Sequence, residues 1–275
     1  MIRGKIFERV TAFVVWSAAA VTIAALLFIV GFILFKGVPH IKPSIFELEY
    51  TSVNASLAPA MISTAIMTAL ALFIAVPLGV GAAIYLAEYA KRESIAARIA
   101  RTTAETLSGI PSIIHGLFGM LFFVVFLGWG FSLLSGAFTL AIMILPLIMR
   151  SGEEALRAVP ETYREGAFGL GAGKLRMVTK IALPSAMGGI FAGITLAIGR
   201  IVGETAALIY TAGTVAQIPA SPMESARTLS VHMYALSSEG LHIDEGYATA
   251  AVLLVIVIVI NALSAYIAKK AGSDI

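Results

Sequence analysis

Apolar residues run almost unbroken through six stretches of this chain, at about residues 12–35, 57–86, 104–128, 131–149, 181–212 and 246–268. Crossing a bilayer core takes roughly 20 mostly apolar residues, so the pattern predicts an all-α membrane protein with six transmembrane helices. The second and fifth stretches exceed one crossing and should tilt or project into water. Pro77, with Gly79 and Gly81, should bend the second. Pro111 should break the third near its start, because proline removes a backbone donor and crowds the preceding turn. The first stretch follows Arg3, Lys5 and Arg9, as a signal peptide would. It is too long for a typical leader core and reads as an uncleaved anchor. Residues 90–101 carry Ala and Arg at helical spacing and read as an interfacial connector. Residues 214–245 hold no spanning pattern, and 223–240 read as a short helix lying at the outer surface.

Composition agrees with several spans rather than one large soluble core. Of 275 residues, 59% are hydrophobic and 13% charged, against about 45–50% and 25% in a soluble domain; mean hydropathy is +0.94. The absence of cysteine excludes disulfides, thiolate zinc sites and cysteine nucleophiles. The net charge of +3 matters less than its distribution. With the N-terminus inside, fifteen Lys and Arg fall in cytoplasmic segments (Arg3, Lys5, Arg9; Lys91, Arg92, Arg98, Arg101; Arg150, Arg157, Arg164, Lys174, Arg176, Lys180; Lys269, Lys270). Lys36, Lys42 and Arg227 fall outside, and Arg200 lies within the fifth span. By the positive-inside rule both termini are cytoplasmic.

The polar segment between spans four and five contains "REGAFGLGAGKLRMVTKIALP", residues 164–184. Its alternating glycines suggest a phosphate cradle, but a P-loop reads GxxxxGK[ST] after a strand. Here no strand precedes the glycines, and Leu175 stands where a Ser or Thr would hold magnesium. Residues 153–167 read instead as helix interrupted by Pro160. A short helix to Leu170, a turn at Gly171 and a second short helix over 174–180 would form a protruding knob. Glycine tolerates the positive φ such a turn often needs. The basic side chains could meet acidic groups on a partner or anionic membrane lipid.

This stretch resembles the signature loop of ABC-transporter permeases, the EAA motif. Glu165, Gly166 and Ala167 supply its start, Gly171 its glycine, and Ile181-Ala182-Leu183-Pro184 its end. Gly166 departs from the usual Ala. The resemblance implies the ABC importer type I permease fold and a loop that docks, through residues such as Lys174, into ATPase subunits. "GIPSIIHGLFG" (109–119), "RIVGETAALIYTAG" (200–213) and "MRSGEEALRAVPETYREGAFGLGAGK" (149–174) are similar to the membrane subunits of phosphate ABC transporters. The short segment 36–56 leans toward their A-type subunit. That family implies a second phosphate permease subunit and an external phosphate-binding protein as further partners. It implies no catalysis by the chain itself, which has no Walker motif.

Arg200 and Glu204 sit four apart and would share one helix face. Ionisable groups inside a span cost about 2.5–3.5 kcal/mol each on insertion scales and normally face a cavity or a partner. The pair either neutralises itself and pins packing, or forms an anion site in which Arg200 offers its fork to a tetrahedral oxyanion; Thr205 adds a hydroxyl. Arg150 is either a snorkelling anchor or a second cationic station. Ser112 and His115 flank the break at Pro111, as a packed kink or as part of the pathway, since helix N-termini attract anions. His232 and His242 read as surface residues rather than metal ligands.

The resulting expectation is a permease subunit of an ATP-driven phosphate importer in a prokaryotic inner membrane, without cofactor, metal or nucleic-acid partner. Residues 1–56 would form an anchor helix and outer loop, 57–268 the transporter domain, and 269–275 a cytoplasmic tail. The alternatives are a permease for another oxyanion, sulfate or molybdate, or an ion-coupled secondary carrier. The carrier would show an internal repeat and leaves the signature loop unexplained. A hydrolase built on Ser112 and His115 lacks an orienting acid and oxyanion donors.

Overall fold

The computed structural model describes residues 2–91, 94–240 and 242–273. Arg92, the end of the tail, and the side chains of Arg3, Lys5, Arg9, Lys269 and Lys270 lie outside what it describes. Most of the described residues are helical, with no strand among them.

Helix α1 (Ile2–Gly37) exposes Phe13, Trp16, Leu27 and Phe28, as a helix facing lipid does. Two 3-10 turns, Val38–His40 and Pro43–Phe46, lead to α2 (Ala58–Ile84). Helix α2 continues through Pro77 and closes in a π-helical turn, Tyr85–Tyr89. Helix α3 (Ile95–Gly109) follows, and at Ile110–Pro111 the chain bends by 103° into α4 (Ser112–Gly119), extended as a π helix by Met120–Phe126. The central helix α5 (Leu133–Ala158) ends just before Pro160, whose ring forces Val159 into an extended conformation. Then come α6 (Glu161–Gly169) and α7 (Lys174–Met177). A π turn, Val178–Ala182, joins α7 to α8 (Leu183–Val202). Short α9 (Ala206–Ile209), α10 (Leu229–Glu239) and the long α11 (Ile243–Ser273) complete the chain.

Among the described residues, five helices are long and apolar enough to span a membrane: Val10–His40, Ala58–Tyr89, Leu133–Ala158, Lys174–Val202 and Ile243–Leu263. The sixth expected span is the bent α3–α4 pair. Pro111 does break it, yet the preceding residues 104–109 belong to α3 and run off at the 103° angle, not along the span.

Helix α5 sits between α2 and α8. Ala71 and Ala75 of α2, Ala137, Leu140, Ala141, Ile144 and Ile148 of α5, and Ala197 and Ile201 of α8 share one buried cluster. Small residues let the backbones approach, which is how helices associate when lipid is as apolar as leucine. The tightest α5–α8 crossing is at Gly193 of α8: a Cβ there would lie 2.4 Å from Cβ of Ser151 in α5.

Three sequence expectations are corrected. The fourth span does not end at Arg150; α5 runs on to Ala158, because Gly152, Glu153 and Leu156 still face the interior. The fifth span stops at Val202, not near Ala212. Gly203 N–H closes on Gly199 O at 3.2 Å and Glu204 N–H on Ile201 O at 3.1 Å, so the last turn tightens and the helix ends. The outer helix starts at Leu229, not Met223, and is half sunk: Leu229, Ser230, Val231, His232 and Leu236 are buried, while Tyr234 and residues 237–239 are exposed.

Gly193→Ala should lower the melting temperature of the detergent-purified chain, by an overpacking cost of about 1–3 kcal/mol. Gly81→Ala, where nothing lies within 4 Å, should leave it unchanged, and Ser151→Gly should rescue Gly193→Ala.

Candidate functional site

The glycine-rich segment folds as a knob at one end of the bundle. Helix α6 closes in a Schellman motif: Ala172 N–H reaches Ala167 O at 3.0 Å and Gly171 N–H reaches Phe168 O at 2.9 Å. Gly171 adopts φ +78°, the left-handed turn its position suggested. The second half is not a separate short helix; α7 runs through its π turn into α8. Pro184 has no N–H to continue the α-helical ladder, and the helix reorganises into the π turn just before it.

The two faces of the knob differ. Ala167, Met177, Val178, Ala182 and Ala186 are buried with Leu156 and Val159 of the α5 end and Ala83 of α2. Glu165, Gly166, Gly171 and Lys174 are exposed, while Ile181, Leu183 and Pro184 are half-buried. Leu170 is 91% and Leu175 69% exposed, beside Tyr163 and Phe168. Thr162, Tyr163, Gly166, Leu170, Lys180 and Pro184 line a flanking cleft of about 530 Å³. Apolar tips of this kind, rimmed by charge, mark a surface for another protein.

Sequence reasoning counted Arg164 only as a loop charge, yet it is buried. Its guanidinium holds Glu88 at 2.8 Å, Glu161 at 3.2 Å, and the carbonyls of Leu156 and Val159, each at 2.7 Å. The hydrogen bond to Glu88 raises the Arg164 pKa further, against the opposing pull of burial. The signal was weak in one sequence, because Glu88 lies 76 residues away. Glu153 likewise accepts from Arg101 and Arg157, both at 2.9 Å. Arg150 stands beside them, 3.8 Å from Glu105 and half in solvent, on a cleft of about 590 Å³ also lined by Glu154.

The structure separates Arg200 from Glu204. Because α8 ends at Val202, they do not share a helix face. Glu204 is buried, and its Oε1 accepts from Ala207 N–H at 3.0 Å, capping α9. Its carbonyl accepts from Ser230 Oγ at 2.5 Å. Thr205, half-buried, precedes α9. Among the described residues Arg200 makes no ion pair or hydrogen bond, and it is half-buried.

His115 lies on the helix that packs against α9. A Cβ on its neighbour Gly116 would lie 2.7 Å from Ala207 Cα, so α4 presses on α9. The His115 ring is buried, with Nδ1 3.4 Å from Pro111 O and Nε2 without a partner. Ser112 is half-buried at the start of α4. Gly193 crosses α5 at Ser151, next to Arg150. Arg200, seven residues further along α8, is thus about 10 Å farther from the knob than Arg150.

Residues 75–272 match the family described as the binding-protein-dependent transport system inner membrane component. The chain belongs to that family. It is 32% identical to the "Probable ABC transporter permease protein YqgI" of Bacillus subtilis, over 94% of this chain and 93% of that one. It is 37% identical to the "Phosphate transport system permease protein PstA" of Xylella fastidiosa, covering 71% and 72%. It is 31% identical to the "Probable phosphate transport system permease protein PstA" of Methanocaldococcus jannaschii, covering 94% and 90%. In fold it resembles the inward-facing MetNI methionine ABC transporter, with TM-score 0.60, 20% identity, and 78% and 94% of the two chains covered. It also resembles a bacterial alginate ABC transporter, with TM-score 0.64, 16% identity and 94% and 95% covered.

This permease is thus a non-catalytic, multi-pass inner-membrane subunit with the ABC importer type I fold. Family membership also sets aside the ion-coupled carrier.

At the end opposite the knob, the permease holds a second buried cation. Arg227 donates from Nε to Thr214 O at 2.9 Å, stands over the Tyr50 ring at 5.2 Å, and reaches His232 Nδ1 at 3.4 Å. Since Nδ1 faces a guanidinium, the ring proton sits on Nε2, 3.3 Å from Ala55 O. His232 is therefore a buried tie, not a surface residue; His242 pairs with Glu245 at 3.6 Å. Burial first, then the Arg227 charge, push the His232 pKa down to about 4, against the bond to Ala55.

An unfolded chain titrates its histidine near 6.5. His232 therefore stabilises the fold fully above about pH 6.5, and that contribution is lost as pH falls from 6.5 toward 4, by up to about 3 kcal/mol. The melting temperature should fall across this window. His232→Gln keeps an acceptor for Arg227 and a donor for Ala55, and should flatten that part of the profile; an unaltered profile would contradict the assignment.

Proposed function

We propose that this permease is the membrane subunit of an ATP-driven importer of inorganic phosphate. The observation that carries the reading is Arg200, a guanidinium in a membrane-spanning helix without an acidic partner among the described residues. A pair with Glu204 would have neutralised itself. With Glu204 turned to cap α9, the cation is left to a counter-ion, and a planar fork suits a tetrahedral oxyanion. The relatives named for phosphate transport at 37% and 31% identity support inorganic phosphate over sulfate or molybdate.

In this reading both termini and the knob are cytoplasmic, following the basic-residue asymmetry. Residues 1–56 form the anchor and outer loop, 57–268 the transporter domain, and 269–275 the tail. An external phosphate-binding protein delivers solute at the Arg227 end, and Arg200, Thr205 and the Ser112–His115 segment receive it. Arg150 is the next cationic station, about 10 Å nearer the knob. A second permease subunit closes the other wall. ATPase subunits engage Leu170, Leu175 and the motif residues Glu165 to Pro184; their closure on ATP moves the knob and switches the cavity between its two faces.

Purified with ATPase subunits and binding protein in liposomes, the complex should accumulate phosphate only with ATP, and sulfate or molybdate far less. Arg200→Gln should reduce uptake at least about 100-fold, a loss of roughly 2.7 kcal/mol or more of transition-state stabilisation, with the complex still assembled. Loss of assembly instead would assign Arg200 to packing, and equal sulfate uptake would reassign the solute.

A further inference from the structure

Long charged side chains are almost never fully buried unless paired, and Arg164 spends its fork on three different elements. Nη2 and Nε meet Glu88 Oε1, at 2.8 and 3.2 Å, on the π turn that ends α2. Nη2 and Nη1 take the carbonyls of Leu156 and Val159 at the end of α5, where a helix leaves its acceptors unsatisfied. Nη1 also holds Glu161 in α6 itself. The side chains of Arg164 and Glu88 are 11% and 5% exposed, so solvent screens the pair little. The next residue of the π turn, Tyr89, lies under Lys174 Nζ at 4.9 Å, and Lys174 opens the other half of the knob. Two consecutive residues of α2 therefore hold both halves of the knob.

The covalent connections alone would not do this. The knob is continuous with α8, but joins α5 only through the extended step at Val159 and Pro160 and has no covalent link to α2 nearer than the whole of α3–α5. A push on the knob would turn α8 and flex at that step. Glu88 sits within the π turn, whose five-residue closure is the bond from Ala90 N–H to Tyr85 O at 2.8 Å.

We infer that the buried Glu88–Arg164 ion pair, with Tyr89–Lys174 beside it, makes the knob, the end of α2 and the end of α5 one rigid body, so that motion applied at the knob is delivered to α2. Arg164 is a positioning residue for coupling; the inference rests on the proposed docking of ATPase subunits at the knob. Arg164→Lys can keep Glu88 but cannot span both carbonyls, and should fall between native and Arg164→Met.

The native chain has no cysteine, so spin labels at Tyr85→Cys and Gly169→Cys, with the other subunits in cysteine-free form, report the distance between α2 and the knob without background. In the assembled transporter this distance should be narrow and the same with and without bound ATP, and should broaden in Arg164→Met. Phosphate moved per ATP hydrolysed should fall at least 10-fold in Arg164→Met while hydrolysis continues. A native distance that changes on ATP binding, or native coupling in Arg164→Met, overturns the inference. If Arg164→Met fails to assemble, Glu88→Gln, which retains an acceptor, must still lose coupling and broaden the distance; native behaviour there overturns it as well. If the native complex hydrolyses ATP but moves no phosphate, the proposed solute fails, while the distance measurement still decides the inference.

Discussion

A charge inside a membrane bundle must be compensated, and the arginines of this permease divide according to how that is done. Arg164 has Glu88, Glu161 and two carbonyls. Arg101 and Arg157 share Glu153, and Arg227 is held by a carbonyl, a histidine and an aromatic ring. Arg164, Arg101 and Arg227 each join segments far apart in sequence, whereas Arg157 meets Glu153 one turn away in α5. Arg200 has none of this among the described residues. The compensated arginines tie segments of the bundle together, and Arg200 is the arginine of a spanning helix that the proposed function assigns to the solute.

Directional and non-directional contacts are also segregated along the bundle. Its centre is built from alanine, glycine and branched aliphatic residues at the crossings of α2, α5 and α8, where dispersion and close backbone approach replace the hydrophobic drive absent in lipid. Such contacts are non-directional. The directional contacts gather at the two ends, around Arg164 and around Arg227.

Much of this was legible in the sequence because its signals are local. Apolar runs located the spans, Pro111 the sharp bend and Gly171 the left-handed turn. The Arg200–Glu204 pair was misread because an i,i+4 spacing says nothing about whether the helix reaches the second residue. Gly203 and the demand of α9 for a capping carboxylate ended it first. Arg164–Glu88 and His232–Ala55 were invisible for another reason: partners 76 and 177 residues away leave no periodic trace in one chain. The burial of α10 was hidden similarly, since its inward face mixes Ser230 and His232 with Leu229 and Val231.

The central claim is that the exposed tip of the knob is the surface on which an ATP-driven partner acts. A photo-activatable amino acid at Leu170, 91% exposed, tests it in the assembled transporter. The account predicts an adduct with the ATPase subunit, and none with it from Val53, 89% exposed in the segment between α1 and α2. Capture of the ATPase from Val53 and not from Leu170 would contradict both the docking surface and the orientation assigned to the chain.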